Sequence, residues 1–237
     1  MKPIIISLDF ENKKQTLRFL NKFANKPNLF VKIGMELFYS KDGPSIIQEL
    51  HKREVNIFLD LKLYDIPNTV KKAAYQLAIK NIQLMTIHAS GGSKMIKAAK
   101  KGLIEGSKEK GFKPAKLIAV TQLTSTSEKQ MHKEQLIQAN LNESVLSLAK
   151  LAKENGADGV VCSALENPII HQKIGQDFLC LNPGIRLKQI VNDDQKRVVT
   201  PKEAIELKSN GIIVGRPIIN SSKPVTVYNR ILKEWNK

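Results

Sequence analysis

Hydrophobic and polar positions along this chain fall into two alternating patterns. Short apolar runs rich in Ile, Val and Leu occupy residues 4–8, 29–34, 55–61, 84–88, 116–121, 158–162, 178–182 and 211–215, the length and composition of buried strands. Between them, apolar residues recur at helical spacing. Val70, Ala73, Ala74, Leu77 and Ala78 follow i, i+3, i+4, i+7 and i+8, and Leu141, Val145, Leu148, Ala149 and Ala152 form a second such stripe. Strands that are apolar almost throughout need cover on both faces, which a parallel sheet wrapped by helices supplies. Eight strand–helix alternations predict an α/β fold, a parallel (β/α)8 TIM barrel with residues 1–237 as one domain. An open, doubly wound sheet is the alternative arrangement. No Gly/Ser-rich linker or repeat divides the chain. Two long polar connections, 122–138 and 186–199, have the character of lids or binding loops.

The polar residues that interrupt this pattern cluster at the carboxyl ends of the predicted strands, where barrel enzymes build their sites. Asp9 closes the first strand and Lys32 lies late in the second. Asp60 and Lys62 close the third, and His88 the fourth. Thr121 and Thr124 follow the fifth, Arg186 the seventh and Arg216 the eighth. Taken singly, each suits a surface or helix-capping position; their joint placement on one rim points to a site. Asp60 and Lys62 are two apart, which in a strand puts both side chains on one face. With Lys32 on the neighbouring strand and Asp65 just beyond, they predict an alternating Lys–Asp–Lys–Asp array whose opposite charges keep one another ionised. A salt-bridge network that only closes the barrel top is the bland reading of the same residues. At the other end of the rim, Gly215 and Arg216 in VGRPI, beside Arg186 in NPGIR, suit a phosphate: glycine lets the backbone approach and arginine grips the oxygens as a fork.

Composition narrows the partners. The chain is 42% hydrophobic and 25% charged, as in a globular protein, and no apolar run approaches the roughly 20 residues of a membrane helix. The N-terminal MKPIIISLDF reads as a first strand, because Asp9 ends its apolar run too early for a signal peptide. A net charge of +16, from 38 basic and 22 acidic residues, would suit a polyanion if it were concentrated on one face. The lysines are instead spread along the chain, only six basic residues are arginine, and aromatics make up 5%. A solvated lysine coat is therefore preferred to nucleic-acid binding, and the field would favour a small phosphorylated substrate. Cys162 and Cys180 lie in apolar strand-like segments without metal-ligand spacing and read as free, buried thiols of a cytoplasmic protein. His51, His132 and His171 also lack ligand spacing, and His88 reads as a hydrogen-bonded barrel residue.

DLKLYDIPNT, residues 60–69, together with SLDF, VKIGMELF, IHASGG, VTQLTS, VVCSA, NPGIR and VGRPI in that order, closely resembles the orotidine 5'-phosphate decarboxylase family over essentially the whole chain. The resemblance implies decarboxylation of orotidine 5'-phosphate to UMP without metal or organic cofactor, in a homodimer with shared active sites. By position, Lys62 would donate the proton to C6, Asp60 would face the substrate carboxylate, and Lys32 would hold the array and touch the ribose. Asp65 and Thr69 would reach into the partner's site. Asp9 would bind the ribose, Thr124 and Ser125 the pyrimidine, and Arg186, Gln195, Gly215 and Arg216 the phosphate. Asn182, where relatives often have threonine, is a departure expected to alter the barrel lining slightly. Sugar-phosphate relatives share the D-x-K-x-x-D core and use magnesium, but IPNT and LTS favour the nucleotide enzyme. A basic nucleic-acid-binding module is the alternative from another class, and it predicts steeply salt-dependent binding.

Overall fold

A computed structural model describes residues 2–187 and 197–236 of the chain. Eight parallel strands, β1 (Ile4–Ser7), β2 (Phe30–Ile33), β3 (Asn56–Leu63), β4 (Leu84–His88), β5 (Lys116–Val120), β6 (Gly159–Val161), β7 (Leu179–Asn182) and β8 (Gly211–Val214), close into a barrel in sequence order. β8 returns to β1 through the register Ile5↔Ile213. The predicted (β/α)8 barrel is the observed fold, and each apolar run of the sequence is one of its strands.

Strand alternation divides the core in two. Outward-facing Ile4, Ile6, Val31, Ile33, Ile57, Leu59, Met85 and Ile87 pack beneath the surrounding helices, whereas Ile5, Phe58, Leu84, Ile118, Leu181 and Ile213 pack on one another inside the barrel. Phe58 is wholly buried at this plug, and burial of such a side chain contributes about 1.5–3 kcal/mol. Both predicted amphipathic stripes lie on helices, Pro67–Ala78 and Leu141–Glu154, with Val70, Ala74, Leu77, Val145, Ala149 and Ala152 on their buried faces. Pro67 opens the first of these, where its missing N–H costs nothing. Asn140 and Glu143 cap the second reciprocally.

Local differences from the sequence reading have identifiable causes. The connection 122–138 contains a helix, Glu128–Glu134, started by the Ser127 side chain accepting from the Gln130 N–H. The two ends of the connection 186–199 pair with each other: Arg186 donates from its N–H to the Val199 carbonyl at 2.9 Å, and the Val199 N–H donates to the Gly184 carbonyl at 3.1 Å. Asn182 does not line the barrel interior. One residue on from the inward Leu181, its side chain faces the helix Asn167–Ile174, where it donates to the Cys162 carbonyl at 3.0 Å and pairs with Asn167 at 2.9 Å. Cys162 and Cys180 are free and buried, as expected. No helix among the described residues is long and apolar enough to cross a membrane.

Candidate active site

The alternation that builds the plug also builds the site above it. Two residues further along each strand, Ile5 gives way to Ser7, Phe30 to Lys32, Phe58 to Asp60, Leu84 to Thr86, Ile118 to Val120 and Ile213 to Gly215. On β1 to β4 the inward position thus changes to a polar side chain in one layer, while β5 keeps Val120 and β8 is followed by Gly215. Above that layer opens a cavity of about 220 Å³ lined by Asp9, Lys32, Asp60, Lys62, Thr124, Arg186, Gly215 and Arg216, among others. Eight of the residues singled out from the sequence therefore meet in one cavity.

Asp60 is the centre of its floor. Its Oδ2 lies 2.9 Å from Lys62 Nζ and 3.3 Å from Lys32 Nζ, and Lys32 Nζ lies 3.4 Å from Asp9 Oδ1. Asp60 Oδ1 accepts from the Thr86 hydroxyl at 3.0 Å. Only 8% of Asp60 is exposed. Burial pushes its carboxyl upward, but Lys32, Lys62 and the hydrogen bonds from Lys62 and Thr86 together outweigh that and hold it below the usual carboxylate value. Two aspartates and two lysines leave the floor with no net formal charge. A buried group of this kind is stable only because each charge has partners.

The ionic chain observed is Asp9–Lys32–Asp60–Lys62. Asp65 is not part of it within the chain: its side chain is exposed and accepts from the Ile66 N–H at 2.6 Å. Asp65 and the exposed Thr69 line a separate depression of about 270 Å³ together with Tyr39, Lys62 and Tyr64. Ser125 is exposed and stands outside the cavity lining, and Gln195 lies outside the described residues. The His88 side chain, expected to be hydrogen-bonded, makes no hydrogen bond among the described residues; its ring meets Tyr64 edge-on at 5.9 Å. Burial and then Lys62 lower its pKa, with Asp60 opposing them, which favours the neutral imidazole.

The opposite rim carries the arginines. Gly215 sits so close to β1 that a Cβ there would lie 3.3 Å from both Asp9 Oδ2 and Ser7 Cβ. Glycine at this position keeps the cavity open between the floor and Arg216. The Arg186 backbone is fixed by its bond to Val199, and its Nη1 donates to the Ile185 carbonyl at 2.8 Å. Fork-shaped guanidinium groups at this end suit the oxygens of a phosphate.

Sequence reasoning missed three supports of the site. Thr86 is an inward position within the apolar run LMTIH, legible only by strand parity. Gln122 donates to Gln135 at 3.0 Å and to Ser144 at 3.1 Å, bracing the cavity wall against two helices. Arg197 donates to the carbonyls of Leu123 at 2.9 Å and Thr124 at 3.5 Å and pairs with the Glu166 carboxylate. It thereby ties the two long connections to each other. Burial raises the Glu166 pKa, with Arg197 acting against it.

Comparison with known proteins places the whole chain. A sequence model of the Orotidine 5'-phosphate decarboxylase / HUMPS family matches residues 2–231. The orotidine 5'-phosphate decarboxylase of Latilactobacillus sakei is 52% identical over 233 residues, covering 98% of this chain and 97% of its own. That of Listeria innocua is 52% identical over 236 residues, covering 100% of both. The crystal structure of orotidine 5'-phosphate decarboxylase from Lactobacillus acidophilus superposes with a TM-score of 0.89 at 46% identity, covering 100% of both chains.

Proposed function

Because the chain belongs to the Orotidine 5'-phosphate decarboxylase / HUMPS family, we propose that it is a carboxy-lyase converting orotidine 5'-phosphate to UMP, the last step of pyrimidine nucleotide synthesis, in the cytoplasm. One observation carries the reading: a carboxylate clamped between two lysines, Lys62 at 2.9 Å and Lys32 at 3.3 Å, in a cavity whose far side presents Arg186 and Arg216. That is a polarity fitted to a molecule with a reacting anionic end and a phosphate.

The phosphate binds Arg186, Gly215, Arg216 and Gln195, the ribose meets Asp9 and Lys32, and the pyrimidine lies against Thr124 and Ser125. Its C6 carboxylate faces Asp60, and the repulsion is relieved as CO₂ leaves. The C6–carboxyl bond breaks with its electron pair remaining on C6. No adjacent carbonyl delocalises that pair, so the Lys62 ammonium stabilises it electrostatically and then transfers its proton to C6. Solvent reprotonates the amine after UMP departs. The scheme requires no metal or organic cofactor. Phosphate binding remote from C6 drives closure and water exclusion, so a substrate without it loses turnover as well as affinity.

The working unit is a homodimer with shared sites. Tyr39, Tyr64 and Ile66 are 66%, 63% and 66% exposed beside the depression that holds Asp65 and Thr69, an apolar margin suited to a second copy. In the dimer, Asp65 and Thr69 enter the partner's cavity and complete its charge array.

The test is the ultraviolet absorbance change of orotidine 5'-phosphate on adding the purified protein with EDTA present throughout. Conversion to UMP supports the reading. A folded protein without conversion overturns it and redirects the assay to sugar phosphates with magnesium.

A further inference from the structure

Between Leu59 and Leu63, β3 advances four residues while β4 advances only two, from Met85 to Ile87. Asp60, Leu61 and Lys62 therefore face a single β4 residue, Thr86. Such an irregularity removes the ladder partner of a backbone N–H. Here the Thr86 hydroxyl replaces it, accepting from the Lys62 N–H at 2.9 Å. A hydroxyl has one proton. Because the Lys62 N–H can only donate, the Thr86 proton is directed to Asp60 Oδ1, 3.0 Å away. Thr86 is completely buried, so bulk water does not compete for either bond. Lys62 itself has φ of +50°, in the left-handed region that an L side chain rarely adopts without support.

We propose that Thr86 is a positioning residue of this site: its one hydroxyl orients the Asp60 carboxylate toward Lys62 and holds Lys62 in the backbone conformation that aims its ammonium into the cavity. The inference rests on the decarboxylase reading above for its effect on turnover, and on geometry alone for its effect on Asp60. The groups around that carboxylate are Lys62 on its own strand, Lys32 on β2, His88 on β4 and, beyond Lys32, Asp9 after β1. Thr86 adds an uncharged donor to this set. It acts by direction rather than by charge.

The experiment compares the wild-type protein with Thr86→Val, which keeps the shape and loses both bonds, and Thr86→Ser, which keeps both. Thr86→Ala replaces the valine variant if that one does not fold. Three quantities are measured: turnover of orotidine 5'-phosphate, UMP affinity by calorimetry, and the Asp60 titration by carbon-13 NMR of aspartate-labelled protein. Thr86→Val is expected to lower kcat by about 10- to 100-fold while UMP affinity stays within about threefold. Its Asp60 titration moves to higher pH, because a hydrogen bond to the ionised form has been lost. Thr86→Ser restores both quantities. An unmoved Asp60 titration in Thr86→Val, or a serine variant as impaired as the valine variant, overturns the proposal. Absence of turnover in the wild type instead overturns the decarboxylase reading and leaves the Asp60 titration to decide the role of Thr86.

Discussion

Asp60 joins more of the site than any other side chain described. Two lysines and a hydroxyl converge on its two oxygens, and they more than offset the cost of burial. Its folded pKa therefore lies below its unfolded value of about 3.9. The resulting stabilisation is complete above that value and is lost as pH falls through the folded pKa. As pH falls below about 4, the wild-type thermal midpoint is expected to fall more steeply than that of Asp60→Asn, which has no proton to take up. Equal slopes in a melting series across this range would show that the lysines do not hold the carboxylate ionised. At this scale the sequence was informative about identity and silent about conformation. Asp9, Lys32, Asp60 and Lys62 stood out because charge at the end of an apolar strand demands a reason. The positive φ of Lys62 carried no such mark, because residues that tolerate it best, glycine and asparagine, are absent there.

Strands and helices place those residues by periodicity. The change from Phe58 to Asp60 on the inward face follows from the alternation read in the sequence, and so does the outward burial of Leu59, whereas Lys62, with its positive φ, departs from regular strand geometry. The irregularity opposite Thr86 was not legible, since it depends on how β3 meets β4 and not on either strand alone. The helix Glu128–Glu134 was legible in part: Ser127 followed three residues later by Gln130 is a capping pattern. The helix Pro67–Ala78, which carries Thr69, is held against the helix Gly92–Glu109 by close backbone contact. A Cβ on Gly102 would lie 2.2 Å from the Lys71 carbonyl oxygen, and one on Gly106 would lie 2.5 Å from that of Tyr75. Gly102→Ala is therefore expected to destabilise the protein by about 1–3 kcal/mol, despite alanine's higher helix propensity. A thermal midpoint several degrees below wild type is the predicted result. An unchanged or raised midpoint would mean that the helices separate at little cost.

At the level of the whole molecule, the closed barrel brings residues from every part of the chain into one cavity, whereas among the described residues with proposed roles Asp65, Thr69 and Ser125 lie outside its lining. Asp65 and Thr69 are too exposed to serve their own floor as they stand, which is the geometry that sharing between copies requires. If sharing holds, Lys62→Ala and Asp65→Asn are each impaired, yet mixing and exchanging their subunits restores activity. Half of the dimers are then hybrids with one intact site of two, giving about a quarter of wild-type activity. Absence of recovery, with hybrids shown to form, would confine each site to a single chain.

The most direct measurement of the central claim is made on Lys62→Ala, comparing UMP binding by calorimetry with decarboxylation of orotidine 5'-phosphate under the same conditions. Lys62 as proton donor predicts affinity within a few-fold of wild type and turnover lower by about 10³-fold or more. Turnover close to wild type in the folded variant would contradict the assignment and move the chemistry away from the Asp60–Lys62 pair.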